Sequence, residues 1–353
     1  MRILPLLVSA LALAPTLAAC GTTRPATGTA EPATLPFAAL GVRKTLDTTI
    51  DAAAAHAHAA WLSDIRWRGR DSASEGDNEA TRYAESMLRG LGIATLRQPF
   101  KNYSIRGQAE NLVGLLPGAD PTRYVVFGAH KDHIGQAFNG ALYPGANDDA
   151  GGCAGVLEIA RTLANQRNQG VLPPVSVLFI LFSGEEKGLI GSRYYTQNPV
   201  APGADGKPVK LDLKQFRGMV QLDVIANGKP ADFSTDTAGG DDAAIRQQVI
   251  DTARRMAMRP IFRTFVEHIP HNHDVNDELP PGASSDHASL RRAGVRAVLF
   301  YAEPIHKYLH HPADTVRERD TFQKAETEVF NDAKLARLTR LGLEQALEWS
   351  RNL

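Results

Sequence analysis

Cysteine is almost absent from this chain. Two occur in 353 residues, Cys20 and Cys153, so there is no disulfide framework and no set of thiolates for a structural zinc site. A basic excess is absent too. Lysine plus arginine and aspartate plus glutamate number 39 each, for a formal net charge of zero. Phosphate backbones are held by a surplus of cationic side chains, so nucleic acid is not an expected partner. No segment repeats internally. Hydrophobic residues make up 43% of the chain, enough for the core of one large domain.

The N-terminus carries a different signal. "MRILPLLVSALALAPTLAAC" has one basic residue, then an apolar run that is short and interrupted by proline. This is the pattern of a secretory signal rather than of a membrane span. Leu17-Ala18-Ala19-Cys20 resembles the bacterial lipobox, in which the cysteine becomes the lipidated first residue. The expected organisation is a signal peptide at 1–19, a flexible tether at 20–40 and one catalytic domain at 41–353. The tether reading rests on the Thr, Pro, Ala and Gly richness of residues 21–40. Gly21, standing where an aspartate would retain the protein at the inner membrane, points to the outer membrane, facing the periplasm. With Cys20 acylated, Cys153 has no partner and reads as a small buried thiol on a helix.

Along the domain, short apolar runs alternate with helical patterns. The runs are 111–118, 123–130, 175–184, 218–227 and 295–302. Helix-like stretches occupy 41–63, 77–93, 150–166, 186–198, 242–257, 285–294 and about 320–350. Strands that are apolar throughout and alternate with helices imply an α/β fold, with a mixed, mainly parallel central sheet covered on both faces. Residues 200–215 and 266–284 read as surface loops. In such sheets, functional residues gather outside the carboxyl ends of the strands.

That edge is where the chemistry stands. His130 and Asp132 follow "YVVFGA", Glu185 and Glu186 follow "LFILFSG", Asp223 ends "MVQLD", and "HKYLHHPADT" follows "VLFYAEP". Asp148 and Asp149 stand in "PGANDDAGG", just before a helix. Acids placed after apolar strands are costly unless their charge is compensated, and no basic cluster accompanies them. They imply a cation. Histidines with carboxylates suit Zn2+, with Mn2+ or Co2+ as the other ions that fit the donor set. Five such side chains exceed what one tetrahedral catalytic ion takes, and fit two ions sharing a carboxylate.

The order "GAHKDHIG", "PGANDDAGG", "SGEEKGLIGS", "QLD", "SSDHASL" and "HHPADT" resembles the M28 family of co-catalytic zinc peptidases, which includes compact bacterial aminopeptidases. The likeness runs from about residue 60 to the C-terminus. It implies a zinc-dependent exopeptidase fold and two Zn2+ ions. His130 and Asp223 would hold one ion, Glu186 and His310 the other, and Asp148 would bridge the pair. A water between such ions is acidified to a pKa near ~7. Neighbouring residues at a strand end project to opposite sides, so Glu185 would face that water as general base while Glu186 faces a metal. Asp132 would bond the His130 imidazole and fix its tautomer, with Asp286 and Asp314 in similar supporting roles and Asp149 structural at the turn. The H-x-P-x-D-T pattern selects His310 over His311. His133 reads as a rim residue, His56 and His58 as surface or packing, His287 as packing or a substrate-side contact, and His268, His271 and His273 as a solvated loop.

The resemblance implies a secreted, lipid-anchored aminopeptidase acting on peptides. M20-type peptidases share the ligand order but insert a small domain between the fourth and fifth ligands. Here 310 − 223 leaves 87 residues, which the sheet's own elements largely fill. Glutaminyl cyclases resemble the fold but keep one zinc. A binding lipoprotein on an inactive scaffold would have lost a ligand or the base, and none is lost.

Overall fold

The computed structural model describes residues 46–236, 243–263, 285–304, 306–316 and 330–351. The expected signal peptide, tether and lipidated Cys20 lie outside them, as do the whole 266–284 loop and its three histidines. Eight of the described strands join one sheet. They are β1 (Ala94–Phe100), β2 (Ala109–Leu116), β3 (Asp120–His130), β4 (Val175–Phe182), β7 (Phe216–Leu222), β8 (Asp232–Asp236), β9 (Arg259–Arg263) and β10 (Ala297–Ala302). Their order is β1-β2-β4-β3-β7-β10-β8-β9. The four central strands β4, β3, β7 and β10 run parallel, while β2 and β8 flank them antiparallel. The fold is therefore α/β with a mixed, mainly parallel sheet, as the pattern of apolar runs predicts.

Pleating divides the apolar residues between two faces. Val125, Phe127 and Ala129 of β3 and Val177, Phe179 and Leu181 of β4 join one core with helices α1 (Ala52–Leu62), α2 (Glu75–Gly90), α3 (Gly152–Asn168), α5 (Ala243–Arg255) and α7 (Asp332–Arg351). Val126, Leu178, Ile180 and Phe182 point the other way, into a second core with α4 (Ile190–Gln197) and α6 (His287–Arg292). Strand β4 buries all eight of its residues, which is why its sequence reads as an unbroken apolar run.

Three strands escape that reading. β1 and β9 are the sheet's outer strands and carry arginines, Arg97, Arg259 and Arg263, on half-wet surfaces. β8 buries Ser234, Thr235 and Asp236, so it lacks the apolar signature although it lies inside the sheet. Residues 200–215, expected as a loop, hold a hairpin of β5 (Val200–Pro202) and β6 (Pro208–Lys210). The helix expected over 41–63 begins at Ala52, because the Asp51 carboxylate accepts the Ala53 and Ala54 N–H groups at 3.0 and 3.1 Å and caps it there.

The chain moves from β3 through α3 to β4 on one side, then returns past β3 through α4 to β7 on the other. That reversal opens a crevice at the carboxyl ends of the central strands. Arg70 is buried among the loops at that end of the sheet. The side chain is 1% exposed and its backbone is held at φ 48°. Nε donates to Lys131 O at 2.9 Å, one terminal nitrogen to Leu62 O and Pro144 O at 2.8 and 2.6 Å, and the other to Gly145 O at 2.9 Å. The loop leaving β3 and the loop entering α3 are thereby fixed to each other. Arg70→Met leaves four carbonyls without this donor and is expected to cost about 3–5 kcal/mol of unfolding free energy. Arg70→Lys should recover little, since one ammonium cannot reproduce the planar fork. Urea unfolding checks this, and an unchanged midpoint for Arg70→Met would contradict it.

Candidate metal centre and active site

Four of the five expected ligands sit at or follow the ends of central strands. His130 is the last residue of β3, Asp223 follows β7, Glu186 lies four residues past β4, and His310 eight past β10. Asp148 lies in the tight turn before α3. Local bonds hold them. The His130 N–H donates to Asp149 Oδ2 at 3.1 Å. Asp149 Oδ1 accepts from Gly152 N at 2.9 Å and Val224 N at 3.4 Å, so one buried carboxylate ties β3, β7 and α3 together. Asp314 accepts the N–H groups of Asn147 and Asp148 at 2.9 and 3.0 Å and fixes the turn that presents Asp148. His310 is held at φ 51°, a left-handed conformation unusual for a non-glycine residue, and this turns its ring inward. His311 instead accepts the Ala313 N–H on Nδ1 at 3.0 Å.

The five side chains meet in two sets that share Asp148. Asp148 Oδ1 lies 3.3 Å from His130 Nε2, which is also 3.6 Å from Asp223 Oδ1. Asp148 Oδ2 lies 3.2 Å from His310 Nε2, which is 3.1 Å from Glu186 Oε2. Two donors at ~2.0–2.1 Å from one tetrahedral ion are separated by roughly 3.3 Å. The four distances bracket that value, so the donor set fits two ions. Glu185 Oε2 stands apart, 3.9 Å from His130 Nε2.

The His130 tautomer follows from geometry. Its Nδ1 is 3.1 Å from the main-chain carbonyl of Asp132. A carbonyl only accepts, so Nδ1 carries the proton and Nε2 is left for a ligand. The expectation that the Asp132 side chain does this is corrected in one respect: its carboxylate is 4.0 Å away. It accepts instead from Ser72 Oγ at 2.6 Å and from the Glu185 N–H at 3.3 Å, so it positions the backbone of Glu185.

Electrostatics here is dominated by negative charge in a dry place. Burial by itself would lower His130 and His310. The surrounding carboxylates overcome it, holding His130 well above its ordinary value and His310 at about 11. Burial would raise Asp148 and Glu186, but the imidazoles of His133, His130 and His310 hold Asp148 far down, and those of His310 and His133 hold Glu186 at about 2. Glu185 is pushed well above the usual carboxylate range, by burial first and then, against the pull of His130, by the charges of Glu186, Asp286 and Asp223. Burial also lifts Asp132 to about 6 and Asp286 to about 7. Protonated imidazoles thus supply the positive charge that these carboxylates require, and the site is built to receive cations.

Two features lie outside the sequence reading. His133 is no rim residue: it is fully buried, with Nδ1 2.7 Å from Glu186 Oε1. Lys131 is buried as well, paired with Asp77, whose other oxygen accepts from Ser183 Oγ at 2.7 Å and from Ala73 N at 2.9 Å. Elsewhere, His287 is buried with Nε2 3.2 Å from Asp236, and the Gln221 amide reaches Asp286 at 3.5 Å. Cys153 is a buried free thiol whose Sγ donates to His130 O at 3.2 Å. His56 and His58 are away from the centre, bonded to Asp332 and Tyr83 at 2.7 Å each.

The chain is similar to several known proteins. Leupeptin-inactivating enzyme 1 of Streptomyces exfoliatus is 28% identical over 213 residues, 60% of this chain and 40% of that protein. The chain thus spans two fifths of that relative's length. A zinc aminopeptidase from Bacillus subtilis superposes with a TM-score of 0.62 at 15% identity, covering 85% of this chain and 95% of the other. A glutaminyl cyclase from Porphyromonas gingivalis does so at 0.60 and 16%, covering 85% and 98%. At these identities the structural likeness shows the fold alone, and one fold serves both proteins. The sequence model of peptidase family M28 matches residues 111–331, more than half of the 353, and the chain belongs to that family.

Proposed function

We propose that this protein is a di-metal aminopeptidase, hydrolysing peptides from a free N-terminus. The observation that carries the reading is the position of Asp148. Its two oxygens face different imidazoles, Oδ1 that of His130 at 3.3 Å and Oδ2 that of His310 at 3.2 Å, and this supports a carboxylate shared between two ions. His130 and Asp223 would hold one Zn2+, and Glu186 and His310 the other. When bound, such ions polarise a scissile carbonyl and lower the pKa of water. The protein's own part is acid–base work. Glu185, buried beside His130, would take a proton from the attacking water and deliver it to the leaving amine. Asp132, through the Glu185 N–H, keeps that carboxylate at the crevice.

Glu185→Gln is expected to keep the full metal content while kcat/KM on amino-acyl anilides falls by about 10²–10⁴-fold. Cleavage of N-terminally blocked peptides alone would sink the aminopeptidase reading.

Metal affinity should depend on pH with a definite sign. His130 and His310 are raised, so both hold protons at neutral pH in the metal-free protein. An entering ion displaces them, and apparent affinity therefore increases as pH rises. Competition titrations between pH 6 and 8 test this, and an affinity that falls with rising pH would contradict it.

We also propose that the protein is exported and lipid-anchored through Cys20, on the outer membrane facing the periplasm. The support is the lipobox-like Leu17-Ala18-Ala19-Cys20 and the Gly21 that follows. Radiolabelled fatty acid should enter the wild-type protein in a bacterial host and be lost in Cys20→Ser; equal labelling of both would overturn the assignment.

A further inference from the structure

His133 stands three residues beyond the ligand His130, at a place where a loop side chain would ordinarily reach solvent. Instead it is fully buried. Its main chain is pinned, with the N–H donating to Arg70 O at 2.9 Å and a bridge to Asp71. The ring packs against Gly145, where a Cβ would meet its Cδ2 and Cγ at 2.6 and 2.7 Å. Nε2 is buried and has no partner. The ring's hydrogen bond is made by Nδ1, 2.7 Å from Glu186 Oε1. The other oxygen of Glu186 faces His310 Nε2 at 3.1 Å.

The distances separate two roles. Donors sharing one tetrahedral ion lie roughly 3.3 Å apart. The pairs of His310 with Asp148 and with Glu186, at 3.2 and 3.1 Å, have that spacing. The His133–Glu186 pair at 2.7 Å is too close for it and matches a charge-assisted hydrogen bond. His133 Nδ1 is also 3.7 Å from Asp148 Oδ2, beyond bonding reach.

We propose that His133 is a positioning residue: its Nδ1–H occupies Oε1 of Glu186, so that Glu186 presents Oε2 alone to the ion it shares with His310 and Asp148. The inference rests on the di-metal reading above. A long, flexible glutamate is thereby reduced to a single-oxygen ligand with a fixed carboxylate plane, the support that outer hydrogen bonds commonly give metal ligands. The effect is confined to one of the two ions, because His133 makes no contact within bonding distance of His130 or Asp223 among the described residues.

The test is metal binding rather than turnover. Zn2+ is titrated into metal-stripped wild type, His133→Asn, His133→Ala and His133→Phe against a chromophoric chelator. The visible absorption of the Co2+ forms is recorded, and thermal unfolding checks that each variant folds. Asn places an N–H near the Nδ1 position; Phe fills the ring's space without one and carries the test if Ala is unstable. The expectation is that Ala and Phe weaken one ion by about 10–100-fold and leave the other unchanged. Asn should recover most of that loss and retain the wild-type Co2+ spectrum. Wild-type affinity for both ions in Ala and Phe would overturn the proposal. So would an Asn variant as weak as Ala with an altered Co2+ spectrum, since His133 would then be a ligand itself. A wild type that takes up no ion would overturn the di-metal reading together with this one, and is distinguishable because it fails before any variant is made.

Discussion

The centre of this structure depends on one carboxylate shared between two imidazoles. Asp148 faces His130 with one oxygen and His310 with the other. Neither histidine is near it in sequence: His130 ends β3, and His310 comes from the loop after β10. Buried negative charge of this density is tolerated only where positive charge is guaranteed. In the protein as described, that charge is carried by raised imidazoles. Dications would carry more of it in the same space.

Much of the surrounding fold serves that carboxylate. Asp314 holds the backbone on which Asp148 stands, and Asp149 joins that turn to His130 and to the segment after Asp223. Arg70 fixes the two loops that converge on the site. Backbone strain is concentrated nearby. Arg70, Val224 and His310 all have φ near +50°, and for a β-branched residue such as Val224 this is a rare conformation that neighbouring structure must enforce. The apolar sheet supplies the rigid frame, and buried polar groups supply the aim.

Legibility in the sequence followed the same division. The central strands were readable because burial on both faces leaves a continuous apolar run, as in β4. Strand β8 was not, since its interior positions are Ser234, Thr235 and Asp236, and Ser234 and Asp236 are met by side chains from other elements, Glu303, Arg263 and His287. The acids and histidines at strand ends were visible because such charge after an apolar run demands an explanation. His133 was misread because its burial depends on Arg70 and Gly145 folding over it, contacts that no local pattern announces. Arg70 had no signal either: one of three arginines in "RWRGR", it reads as surface until its four carbonyl partners are assembled. For Asp132 the sequence offset was legible, but whether the main chain or the side chain would meet His130 was not.

Anomalous diffraction at the zinc edge, on crystals of the zinc-loaded protein, tests the central claim most directly. The account predicts two peaks per chain, each about 2.0–2.2 Å from its ligand atoms, one beside His130 and Asp223, the other beside Glu186 and His310, with Asp148 touching both. A single peak, or two peaks of which either lies out of reach of Asp148, would contradict it.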